Sequence, residues 1–224
     1  VSERGKYIII EGPDGTGKTT QAKLLTETLN ERGQKSRYVH EPGETPIGFE
    51  IERLIKDRTL ERDPATDLLL FTANRVELWN QVIEPSLENG ENVVGDRNWL
   101  SSLAIQGVAG GLGVAAVRDL TSRYLPDEYL YPTFTALLHV NNLQKEMMLA
   151  KRGTSDGDYF ETKPDEFLRK IDRGYEEAGR LAAAATRQRK NGNQVLSSAY
   201  ISANGTIQEV HERIVAKLER HNVL

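Results

Sequence analysis

Ten residues constrain this chain more than any others: Glu11-Gly12-Pro13-Asp14-Gly15-Thr16-Gly17-Lys18-Thr19-Thr20. An apolar run, Tyr7-Ile8-Ile9-Ile10, precedes them, and Ala22, Leu25 and Leu29 follow at helical spacing. The order is strand, glycine-rich loop, helix, and Gly12-x4-Gly17-Lys18-Thr19 is the phosphate-binding loop spacing. Glycines let such a loop curl until its backbone N–H groups reach phosphate oxygens. The loop also opens a helix, whose N-terminus favours negative charge. Lys18 has the reach for β- and γ-phosphates, and the Thr19 hydroxyl can ligate Mg²⁺. Nucleoside triphosphate binding by Gly12, Pro13, Asp14, Gly15, Thr16, Gly17, Lys18, Thr19 and Thr20 is the expectation, with ATP and Mg²⁺ as the bound species.

The pattern downstream alternates. Strands are predicted over 6–11, 36–40, 91–96 and 133–140, with Val195 and Leu196 marking a last one. Helices are predicted over 18–31, 47–57, 65–89, 98–106, 113–124, 142–152 and 165–187. Pro64 suits the first turn of the 65–89 helix, and Pro85 should kink or end it. Gly107 to Gly111 reads as a flexible separator. Asn204 or Thr206 can cap a closing helix whose face is Ile207, Val210, Ile214 and Leu218. This alternation predicts an α/β fold of the P-loop NTPase type: three layers, α/β/α, on a mostly parallel sheet of about five strands, as one domain over 1–224. Ligands of such sheets lie at the carboxyl ends of the strands. Residues 11–20, 41–46 and 96–102 fall there.

Composition removes several alternatives. The 224 residues contain no cysteine, which excludes disulfides, zinc thiolate sites and cysteine nucleophiles. Net charge is −4, so no broad electrostatic footprint for nucleic acid exists and phosphate must be met by local basic residues. No stretch approaches the ~20 apolar residues of a membrane span. The N-terminus carries no secretory pattern, and Val1 in first place suggests a trimmed or engineered start. A cytoplasmic enzyme acting on small molecules, with neither nucleic acid nor membrane as partner, is the expectation.

Two further clusters carry chemistry. Asp96-Arg97 ends an apolar strand. The carboxylate can hold Mg²⁺ opposite Thr19, directly or through water, or it can cap the helix that follows. Arg97 offers a planar fork for phosphate. Phe71 and Arg75 stand four apart on one helix face. They suit a stacking aromatic beside a cation, or a core phenylalanine with an arginine snorkelling alongside.

Taken in order, these pieces resemble the thymidylate kinase family. The resemblance runs from about residue 6 to 218. It rests on the loop from Glu11 to Gln21, Glu41-Pro-Gly-Glu-Thr-Pro-Ile-Gly48, Leu69-Leu-Phe-Thr-Ala-Asn-Arg75, Ile83-Glu-Pro-Ser-Leu-Glu-Asn-Gly90, Asp96-Arg97, Ser101-Ser-Leu-Ala-Ile-Gln-Gly107, Phe160-Glu161 and Gly174-Tyr175. It implies ATP- and Mg²⁺-dependent phosphorylation of dTMP by a homodimer built through the 65–89 helix. Asp14 would approach the sugar 3′-OH, Phe71 would stack on thymine, and Arg75 would contact the base or its phosphate. Arg97 would bind the acceptor phosphate, and Ser101, Ser102 and Gln106 would line the base side. Residues 151–163 would form a lid over ATP.

The basic residues depart from the family pattern. His40, Glu52 and Met148 stand where arginines are usual, with Arg53 beside Glu52. Tyr159 replaces the lid arginine and Ile105 a tyrosine. A lid cation must then come from Lys151, Arg152, Lys163 or Arg169, and Arg152 is the first choice. The departures leave two alternatives beside a dTMP kinase: a kinase for another deoxynucleoside monophosphate or a deoxynucleoside, and a nucleotide-binding regulator without catalysis.

Overall fold

The computed structural model describes residues 3–141, 163–188 and 197–224. Five strands form one sheet: β1 (Tyr7–Glu11), β2 (Ser36–His40), β3 (Asn92–Asp96), β4 (Phe134–His139) and β5 (Ser197–Ser202), in the order β2-β3-β1-β4-β5. Every pairing is parallel. The helices that connect them are α1 (Lys18–Glu31), α2 (Pro46–Lys56), α3 (Pro64–Leu78), α4 (Glu84–Glu88), α5 (Trp99–Ser102), α6 (Val114–Tyr124), α7 (Asp127–Leu130), α8 (Asp165–Gln188) and α9 (Ile207–Arg220).

The place of β1 in the sheet explains why Tyr7 to Ile10 are all apolar. Tyr7 and Ile9 enter one core with Leu78, Trp79, Ile83, Trp99 and Leu103. Ile8 and Ile10 enter the opposite core with Leu25, Leu29, Val210, Ile214 and Leu218. A strand covered on both faces needs apolar side chains at both parities. The layers are therefore α/β/α, as predicted. A third apolar cluster, with Ile51, Ile55, Phe71, Ile105, Ile171 and Tyr175, joins α2, α3 and α8 beside the carboxyl ends of the strands.

Three expectations change. The 65–89 helix does not end at Pro85. A π-helical turn, Trp79–Ile83, links α3 to α4, and α4 carries Pro85 in its first turn. A proline that cannot accept an ordinary i−4 geometry is accommodated where the helix is already widened. The Gly107–Gly111 separator is helical through Ala109, in a second π-helical stretch, Leu103–Ala109, continuous with α5. Residues 127–130, left between elements, form α7. The last described strand is Ser197–Ser202; the strand marked by Val195 and Leu196 lies outside the described residues, as does the predicted helix over 142–152. Of the two proposed caps for α9, Thr206 is the one used, in a reciprocal capping box with Glu209.

Candidate active site

The loop after β1 turns on glycine. Gly12 has φ of +145°, and a Cβ there would run into the Leu138 carbonyl oxygen, so β4 closes against the loop. Gly17 sits at φ +82° as the residue before α1, which starts at Lys18. Thr16 donates its hydroxyl to the Pro13 carbonyl at 2.8 Å, holding the curl. Lys18 also donates to Pro13 O, at 2.8 Å, and lies 3.6 Å from Asp14. Burial, reinforced by the nearby Arg97 charge, lowers the Lys18 pKa to about 8. An ammonium so desolvated gains from an anion placed at the loop.

Asp96 ends β3 in register with Ile10 on one side and His40 on the other. It does not cap the next helix. Asn98 does, its side chain accepting from the Leu100 N–H at 3.0 Å. Asp96 Oδ2 instead accepts from the Thr19 hydroxyl at 2.5 Å and from Tyr38 at 3.4 Å. Its Oδ1 is buried without a hydrogen-bond partner. A hard-oxygen pair with an unsatisfied carboxylate oxygen fits magnesium, which takes one or two carboxylates and completes its shell with phosphate and water. Among the described residues no group of three or more His, Asp or Glu is arranged to hold a metal by itself.

Arg97 follows at φ +75°, a conformation that costs a non-glycine residue on the order of 1–3 kcal/mol. Its N–H bonds to Ile10 O at 3.1 Å. Its guanidinium pairs with Asp14 and donates to Ser101 Oγ at 3.0 Å and Tyr175 Oη at 2.7 Å. Burial opposes the charge, and the Tyr175, Asp14 and Glu11 environment more than restores it.

Arg75 does not snorkel. It is 1% exposed, with Nε on Glu41 at 2.8 Å, Nη1 on Ser102 Oγ at 2.8 Å and Nη2 on Asn98 O at 3.0 Å. Phe71 is 5.3 Å below it, ring centroid to guanidinium carbon. Gln106 is 1% exposed, and both its amide nitrogen and oxygen lack partners.

Asp14, Lys18, Thr19, Phe71, Arg75, Asp96, Arg97, Ser101, Ser102 and Gln106 all line one cleft of about 620 Å³. Gly12 and Pro13 face a separate cavity beside β4. His40 and Glu52 also line the cleft: His40 bonds Glu44 through Nδ1 at 2.5 Å and faces Glu52 through Nε2 at 3.7 Å, and Lys56 pairs with Glu52 at 2.5 Å. The Glu44 hydrogen bond raises the His40 pKa. Ile105 lines the cleft as well. Arg152, Lys151, Met148, Tyr159 and Phe160 lie outside the described residues.

Four supporting residues were given no role in the sequence reading. Glu11 is fully buried and accepts from the N–H groups of Gly12, Asn98 and Ser101 and from Ser101 Oγ. Glu41 accepts from Arg75 and, at 2.6 Å, from Tyr129. Burial raises the pKa of both carboxyls against their cationic neighbours. Tyr175 and Asn98 complete the set. The readable signal was the acid that closes the apolar strand at Glu11, where a carboxylate must find buried donors.

The thymidylate kinase family model matches residues 10–214. The thymidylate kinase of Chlamydia muridarum is 38% identical over 169 residues, 75% of this chain and 82% of that protein. That of Caldicellulosiruptor saccharolyticus is 33% identical over 215 residues, 94% of each. The crystal structure of thymidylate kinase from Ehrlichia chaffeensis superposes with a TM-score of 0.72 over 96% of this chain and 99% of that one, at 24% identity, a likeness of fold. A phosphate loop, an arginine that follows the third strand and a buried Phe-Arg helix thus meet in one cleft of a chain matched along most of its length, and the chain belongs to the thymidylate kinase family.

Proposed function

We propose that the protein transfers the γ-phosphoryl group of ATP to dTMP. The observation that carries the reading is the convergence of Arg97, Phe71, Arg75 and the unpartnered Gln106 amide on the cleft that the phosphate loop opens into. The backbone N–H groups of the loop and Lys18 hold the triphosphate. Thr19 and Asp96 would hold magnesium, which when bound neutralises charge on the β- and γ-phosphates. Arg97 binds the acceptor phosphate in line with the loop. Asp14 orients Arg97 and faces the sugar. Phe71 stacks on the base. Arg75 has three of its five N–H groups engaged among the described residues, so two remain for a base carbonyl. A donor-only cation there favours thymine O4 over the cytosine amino group. Gln106 supplies a donor and an acceptor to the same edge. Buried polar groups left unpaired by a wrong base make such a wall selective.

One observation favours a second reading. Glu44 and Glu52 put two carboxylates on the cleft wall. An acceptor without a phosphate needs fewer cations, which suits a deoxynucleoside. A coupled ADP-release assay with Mg·ATP against dTMP, dUMP, dGMP, dCMP, dAMP and thymidine decides. The expected result is preference for dTMP. Preference for thymidine or another base carries the second reading, and bound ATP without turnover leaves a regulator. The Arg152 lid cation belongs to the same proposal. So does a homodimer: Ile47 and Phe49 on α2 and Leu69 on α3 are each more than half exposed, and sedimentation reads the oligomeric state. No helix among the described residues is long and apolar enough to cross a membrane.

A further inference from the structure

Helix α8 meets the acceptor side of the cleft at one place. Gly174 lies backbone to backbone against the stretch that follows α5: a Cβ on it would stand 2.6 Å from Ala104 Cα and 2.7 Å from Ala104 O. That approach delivers the next side chain. Tyr175 is 4% exposed, its ring in the apolar cluster with Ile105 and Ile171. Its hydroxyl accepts from Arg97 Nη1 at 2.7 Å and lies 2.9 Å from Ser101 Oγ.

The donors and acceptors form one consistent set. Arg97 Nη1 has two hydrogens, one for Tyr175 and one for Ser101. Tyr175, having accepted from Arg97, points its own hydrogen at Ser101 Oγ. Ser101 has one hydrogen, which goes to the Glu11 carboxylate at 2.9–3.0 Å. Asp14 holds Nη2. With both terminal nitrogens tied, the plane of the guanidinium cannot rotate, and its free N–H groups keep one direction.

We infer that Tyr175 is a positioning residue for phosphoryl transfer: its hydroxyl, brought in by Gly174, fixes the plane of the Arg97 guanidinium and so links α8 to the acceptor phosphate. This rests on the reading of Arg97 as the acceptor-phosphate residue. A fixed fork matters because a misdirected donor pair loses transition-state stabilisation while ground-state ATP binding is untouched.

The test is a double-mutant cycle with Tyr175→Phe and Arg97→Lys, reading kcat and KM for dTMP, ATP affinity by calorimetry, and melting temperature, with rates taken well below every transition. Tyr175→Phe should lower kcat/KM for dTMP roughly 10–100-fold, the range for a hydrogen bond to a charged group, with ATP affinity unchanged. Arg97→Lys should lower it further. The double variant should match Arg97→Lys within about twofold, because an ammonium has no plane to fix. Ile171→Val, one turn away in the same cluster, should keep the wild-type rate. The inference is overturned if Tyr175→Phe is as active as the wild type, if the two losses multiply, or if Ile171→Val reproduces the loss. Arg97→Lys at full rate overturns the reading of Arg97 itself, a separate result.

Discussion

Arg97 is where the charges of the cleft converge. It carries a left-handed backbone, and its side chain is tied to Asp14, Ser101 and Tyr175. Strain of that kind persists only where surrounding bonds over-determine it. Arg97→Ala should cut phosphoryl transfer by about 10²–10³-fold or more, the scale of one lost transition-state donor. ATP affinity should survive, since the loop N–H groups and Lys18 hold the triphosphate without a bond from Arg97; calorimetry with ATP alone checks this, and a wild-type rate overturns the role. Asp96 makes a different prediction. Its unpartnered Oδ1 and the Thr19 hydroxyl are the hard-oxygen pair, so Asp96→Asn should raise the magnesium concentration for half-maximal rate about 10-fold or more. A magnesium titration at saturating ATP reads it. At this scale the sequence was informative about groups that act outward. Lys18 and Thr19 sit in the phosphate-loop spacing, and Arg97 stands at the carboxyl end of an apolar strand, where ligands of such sheets lie. It was silent about the partners of Glu41 and Tyr129, which lie tens of residues away and come together only when the sheet forms.

Helices are tied to one another by single side chains. Arg62, in the loop between α2 and α3, is 7% exposed at its side chain. Its Nε pairs with buried Asp67 at 2.6 Å, and its terminal nitrogens donate to the carbonyls of Leu54, Ile55, Asp57 and Leu60. These include the open carbonyls at the end of α2, which no residue of α2 can satisfy. Arg62→Ala should destabilise the fold by about 3–5 kcal/mol, because it strands the Asp67 charge as well as the carbonyls. Asp67→Asn added to it should recover part of that loss. Urea unfolding of the three variants measures both. Element boundaries were legible where propensity acts locally: α1 ends at Glu31 before Gly33, and β2 spans Ser36–His40, as read from the sequence. The two π-helical stretches were not. Pro85 and Gly107 signal a break by propensity, and the packing of Trp79, Ile83 and Leu103 into the first core overrides it.

Over the whole molecule, the strand order places β1 between β3 and β4. The chain leaves β1 for β2 at one edge and later crosses to β4 on the other side, so the phosphate loop sits at the switch point where open α/β sheets bind ligands. Alternation of strands and helices foretold that layout, but no periodicity could say which edge each strand joins. α1, which carries Lys18, is held from behind by α9 across the second core. At that contact His211, 8% exposed, hydrogen-bonds through Nε2 to Thr28 Oγ1 at 2.8 Å, and its Nδ1 is buried without a partner. Burial lowers its pKa; Glu212 and Glu27 oppose the shift and Arg32 adds to it. A histidine whose folded pKa lies below its unfolded value takes up its proton first in the unfolded chain. The unfolded state then binds more protons in that window, and stability falls as pH drops below the ordinary histidine value of about 6.5. Above about pH 7.5 both states are neutral at this site and the term vanishes. The urea midpoint should therefore fall between pH 7.5 and 5.5 by more in the wild type than in His211→Gln, which keeps a partner for Thr28 and cannot take a proton. Comparing the two slopes removes the contribution of every other titrating group, including His40, whose raised pKa acts in the opposite direction. Equal slopes would show that His211 accepts its proton at this contact as readily as in water, and that the α1–α9 seam does not sense acid.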